Sequence, residues 1–79
     1  MNNNEYSRLL QLKNLIDSNN ANVEEKKEYM TILYKNGNIT QEQYNNFLSN
    51  QNSDEIVKAG LKIGGFILAV WLLLKLAEK

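Results

Sequence analysis

Residues 63–74 read IGGFILAVWLLL, twelve consecutive positions without a charged side chain. No other stretch of the chain constrains it as strongly. Twelve residues are short for a bilayer span and could form a buried core helix. The flanks lengthen the segment. Beyond Lys62 lie Ala59, Gly60 and Leu61, and beyond Lys75 lie Leu76 and Ala77. Lysine stems lie along lipid while their ammonium groups reach the headgroups. With Lys62 and Lys75 extended in this way, Ala59–Ala77 supplies nineteen residues. At about 1.5 Å per residue that is roughly 28 Å, close to the hydrocarbon thickness of about 30 Å. A soluble alternative would need a helix apolar all round near its middle to be wrapped by the rest of the chain. A bundle helix exposed on one face carries polar residues there. The pattern therefore predicts a C-terminal membrane-spanning helix over residues 54–79.

The rest of the chain is polar and reads as helix. The full length is 79 residues, too short for two ordinary domains and marginal for one core. Residues 5–18 place Tyr6, Leu9, Leu10, Leu12, Leu15 and Ile16 at mostly helical spacing. A polar break at 18–22 follows. Asn22, with Glu25 three positions on, predicts a capped second helix over 23–36. Gly37 is its expected left-handed stop. Thr40 with Gln43 predicts a third cap, and Ile39 and Tyr44 stand where a hydrophobic staple would form. Phe47 and Leu48 extend the face begun by Tyr44 in a helix over 41–49. The connection between helices two and three is short enough to force an antiparallel hairpin. Residues 51–53 form a polar linker, and Asn52 is positioned to cap the last helix ahead of Glu55. The expected fold is all-α: an acidic helical head over 1–50, a linker over 51–53 and one transmembrane helix.

The segment VEEKKEYMTILYKNGNITQEQYNNFLSN, residues 23–50, resembles the SHOCT domain. That family has a helix, a G-x-I-T turn and a second helix with an aromatic and a closing leucine. Leu33, Gly37, Ile39, Thr40, Tyr44 and Leu48 occupy the matching positions. The match covers about a third of the chain. In the family the hairpin usually ends the protein, whereas here it precedes the apolar helix. The resemblance implies a small interaction or oligomerisation module and carries no catalytic residues.

Charge divides the chain. Residues 1–55 hold five basic and eight acidic side chains, or −3, and residues 56–79 hold four and one, or +3. An acidic head lacks the positive surface that nucleic-acid phosphates require. The chain has no histidine, cysteine or proline. Without histidine, the serines and threonines have no partner base. No phosphate loop or metal-ligand spacing is present. No enzyme activity, cofactor or metal is expected. The sequence MNNNEYSRLL lacks a basic stretch followed by an apolar run, so a cleavable signal peptide is not expected. Abundant asparagine fits an AT-rich bacterial or phage genome.

Two small-residue patterns lie on the apolar helix, Gly60-x-x-x-Gly64 and Gly65-x-x-x-Ala69. They fall on nearly opposite sides and suit close helix–helix contact in lipid. Lys58, Lys62, Lys75 and Trp71 are the expected interfacial anchors. Lys58 and Lys62 balance Lys75 and Lys79, so the positive-inside rule gives a tie. The head is expected in the cytoplasm, or inside a lipid-containing virion. Tyr6, Tyr29, Tyr34 and Tyr44 are expected to pack the head with their hydroxyls in water. The function expected is a single-pass membrane-anchored interaction or oligomerisation module. Its partners are membrane lipid and either copies of itself or another protein. The alternative is a phage virion membrane component, a holin-like pore former or a small membrane toxin.

Overall fold

The computed structural model of the chain describes residues 1–49 and 54–77. The expected linker over 51–53, the Asn52 cap and the last two residues lie outside them. The described residues form four helices and no strand: α1 (Asn3–Asp17), α2 (Val23–Lys35), α3 (Gln41–Ser49) and α4 (Asp54–Ala77). The all-α class and the long apolar C-terminal helix are as the sequence predicts.

Each boundary in the head has a local cause. Helix α1 starts two residues before the expected Glu5 because Asn2 accepts from the Glu5 amide at 2.8 Å. The α2 capping box is complete, with Glu25 N–H donating to Asn22 and Asn22 N–H to Glu25. At α3, Thr40 Oγ1 accepts from the Gln43 amide at 3.1 Å, and the Gln43 side chain accepts from the Thr40 amide at 2.7 Å. Two helices end in paired six-to-one and five-to-two hydrogen bonds, Asn20 N to Leu15 O with Asn19 N to Ile16 O, and Asn38 N to Leu33 O with Gly37 N to Tyr34 O. The left-handed residue that closes each pair is Asn19 (φ 60°) and Gly37 (φ 74°). Asparagine tolerates that region better than most residues, and glycine adopts it without strain.

The core runs through all four helices. Leu9, Leu12 and Ile16 enter it from α1, and Tyr29, Met30, Ile32 and Leu33 from α2. Ile39 enters from the turn and Phe47 from α3. Helix α4 contributes Leu68 and Trp71. Phe47 is buried but Leu48, 100° away on the helix, is 37% exposed. The face begun by Tyr44 therefore continues inward through Phe47 alone. Tyr44 stacks on Tyr34 with ring centroids 4.8 Å apart and shares a 2.9 Å hydrogen bond with Thr31, which fastens the two arms of the hairpin.

Arg8 joins α1 to α2 through a two-pronged pair with Glu28 at 2.7 and 2.8 Å. That hydrogen bond is the main reason the Glu28 carboxyl is held below its ordinary pKa and the Arg8 guanidinium above its own. The pair is solvent-facing, so its net value is small. Helix α4 packs against α1, α2 and α3. Its apolar helix is thus joined to the head along one side and does not stand clear of it.

Candidate functional site

Helix α4 has 24 residues, about 36 Å at 1.5 Å per residue. Its two sides differ sharply. The side toward the head carries Gly60, Gly64, Leu68 and Trp71, spaced three and four apart and all buried. At Gly60 an added methyl would meet Met30 Sδ at 2.6 Å, and at Gly64 it would meet the Tyr29 ring at 2.7 Å. The Tyr29 hydroxyl donates to the Gly60 carbonyl at 2.9 Å. Tyr29 is 1% exposed, and burial pushes its phenol pKa up, so the hydroxyl keeps its proton as a donor. The hydroxyl expected in water is instead sealed against α4. The Gly60–Gly64 surface, expected to meet a neighbouring membrane helix, receives the chain's own α2.

The second small-residue surface is free on one side. Ala69 is exposed, and Gly65 is half-buried beside Lys13, whose Cε would lie 3.2 Å from an added methyl. Lys13 pairs with Asp17 at 2.7 Å. Farther along, Tyr6 stacks on Trp71 with centroids 4.9 Å apart and planes 11° from parallel. Trp71 Nε1 donates to Asn3 Oδ1 at 3.3 Å, and Lys75 Nζ stands 4.6 Å from the Trp71 ring centroid. Trp71 is 9% exposed. The expected interfacial indole is held inward by α1, with Lys75 folded over it. Because Asn3 and Tyr6 meet Trp71 while Lys13 meets Gly65, α1 runs antiparallel to α4.

The outward side of α4 changes character along its length. Glu55, Lys58 and Lys62 are exposed on the first turns. From there the exposed large residues are Phe66 at 73%, Val70 and Leu72 at 42%, Leu73 and Leu76 at 65%, and Leu74 at 60%. Lys75 is the one charge among these described positions. Six large apolar side chains exposed by about half, each worth 1.5–3 kcal/mol when fully buried, leave roughly 5–10 kcal/mol of transfer energy unused in water. Helix Glu55–Ala77 is long and apolar enough to cross a membrane.

A cleft of about 110 Å³ separates the hairpin from α4, lined by Met30, Ile39, Gln43, Ile56, Ala59 and Ile63. Pockets that hold metabolites run to roughly 300 Å³ or more, so the cleft fits an apolar side chain at most. Gly37 takes the left-handed turn and Thr40 with Gln43 caps α3; of the expected Ile39–Tyr44 staple, Ile39 is buried in the core and Tyr44 stacks on Tyr34. The sequence missed Tyr29, Met30, Lys13 and Tyr6 as contacts of α4. The apolar spacing of Tyr6, Tyr29 and Met30 was visible, but spacing does not say which helix a face will meet.

Comparison of the chain with protein families, characterised proteins and solved structures finds no match.

Proposed function

We propose that the protein is a membrane-anchored interaction module in which α4 is the anchor and α1–α3 form the part presented to partners. The observation that carries this reading is the change along the outward side of α4, from Glu55, Lys58 and Lys62 to an almost uninterrupted apolar surface from Phe66 to Leu76. A monomer in water seldom keeps an apolar patch of that size. Lipid satisfies it without a specific partner, and the lysines at either end match headgroup phosphates. The capped hairpin and its exposed Leu48 support an interaction role for α2–α3. Lateral self-association falls to the remaining small-residue surface, Gly65 and Ala69, because Gly60 and Gly64 are filled from within the chain.

The test is flotation of the purified chain with phosphatidylcholine vesicles in high salt. Wild-type protein is expected to float with the vesicles. Phe66→Lys with Leu73→Lys places two charges on the outward side, each costing about 2.5–3.5 kcal/mol at mid-span, and should leave the protein in the aqueous fraction. Equal flotation of both forms would refute the anchor.

A further inference from the structure

We infer that α1 is a detachable cover on α4, docked in water and released when α4 spans a bilayer; this inference rests on the anchor reading. Depth in the bilayer sets α1 and a spanning α4 in conflict. A span over Ala59–Ala77 puts Gly65 about 9 Å and Trp71 about 18 Å inside the near edge, at 1.5 Å per residue. Helix α1 lies against both positions, through Lys13 at Gly65 and through Tyr6 and Asn3 at Trp71. Docked α1 would therefore carry Lys13 and its exposed Asn4, Ser7, Gln11 and Asn14 into hydrocarbon. Ionised and hydrogen-bonding groups at that depth have no water to satisfy them. A docked α1 and a complete span exclude one another.

The hairpin reaches less far and meets α4 with apolar groups: Met30 at Gly60 and the Tyr29 ring at Gly64, about 2 and 8 Å inside the same edge at 1.5 Å per residue, and the cleft lined by Ile56, Ala59 and Ile63. It stays at the membrane edge while α1 departs. Release is also mechanically simple. Helix α1 joins α2 through the polar turn 18–22, in which Asn19 takes a left-handed conformation (φ 60°). The Arg8–Glu28 pair ties α1 to α2 and must open on release, at little cost because it faces solvent. Once free, α1 presents Leu9, Leu12 and Ile16 on one side and its polar residues on the other, the layout of a helix that lies flat in the headgroup layer. In water that stripe is buried in the same core as Leu68 and Trp71; after release it meets the membrane surface.

Trp71 is the sole tryptophan, and the chain has no cysteine. Those two facts supply the assay. Ser7 is exposed on α1, next to Tyr6. Full-length Ser7→Cys is labelled with a dansyl group and added to phosphatidylcholine vesicles whose acyl chains are brominated near the middle. The inference expects bromine to quench Trp71 and energy transfer from Trp71 to the dansyl group to fall together. A second form, Tyr6→Ala, removes the aromatic stack and should insert about two- to twelve-fold faster, the ratio that one aromatic pair is worth. Quenching with undiminished transfer would overturn the cover and leave the anchor standing. Absence of quenching would overturn both. An unchanged insertion rate in Tyr6→Ala would also count against the cover.

Discussion

Gly64→Ala isolates the packing of α4 on the head. The new methyl would stand 2.7 Å from Tyr29 Cζ and closer still to the hydroxyl. Tyr29 is fully enclosed, so the ring cannot swing into solvent without breaking its bond to Gly60 O. Overpacking a tight site costs about 1–3 kcal/mol. Loss of the phenol's hydrogen bond adds about 1 kcal/mol. Alanine in place of a helical glycine returns about 1 kcal/mol. The net is a destabilisation of about 1–3 kcal/mol. For a chain of this size, 1 kcal/mol moves the melting point by about 4–8 °C, so a fall of roughly 5–20 °C is expected. Gly65→Ala is the control. Among the described residues its only near neighbour is the flexible end of Lys13 at 3.2 Å, and the helix-propensity gain should leave it as stable as wild type or a few degrees better. Thermal melts by circular dichroism, with Trp71 fluorescence as a second probe, separate the two. Tyr29→Ala in the Gly64→Ala background should abolish the penalty of the methyl. Equal melting points for Gly64→Ala and Gly65→Ala would refute the packing of Tyr29 into α4.

Two further outcomes follow from the head. Glu28 titrates below the usual carboxylate range because Arg8 hydrogen-bonds its charged form. Its contribution is therefore complete above the unfolded value of about 4.3 and is lost as pH falls through the lower folded value. Glu28→Gln should flatten the acid limb of the stability profile below about pH 4, by a fraction of a kcal/mol since the pair faces water; an unaltered limb would exclude the pair. Asn22→Ala removes the side-chain acceptor of the Glu25 amide, leaving only the backbone half of the α2 capping box, and should cost about 1 kcal/mol in urea unfolding, whereas a change of less than about 0.2 kcal/mol would deny the cap a role.

Legibility from sequence tracked how local each interaction is. Caps and stops are settled within five residues, and Asn22 with Glu25, Thr40 with Gln43, and Gly37 were readable on that ground. The apolar run from Ile63 to Leu74 was equally plain, because composition alone carries it. The contacts between distant helices were not readable. Tyr29 meets Gly60 across 31 positions and Trp71 meets Asn3 across 68. A glycine pair suited to a neighbouring membrane helix is suited equally to a tyrosine from the same chain, and the choice depends on where the short loops aim α2. The indole of Trp71 shows the same ambiguity, since an aromatic near a helix end serves a membrane interface or a stack on Tyr6 with the same side chain.

The measurement that bears most directly on the whole account is extraction of the native chain from the membranes of the cells that express it. The account predicts that the protein sediments with membranes, resists alkaline carbonate and leaves only in detergent. Recovery as a monomer in the carbonate supernatant, with Trp71 still shielded from aqueous quenchers, would contradict it.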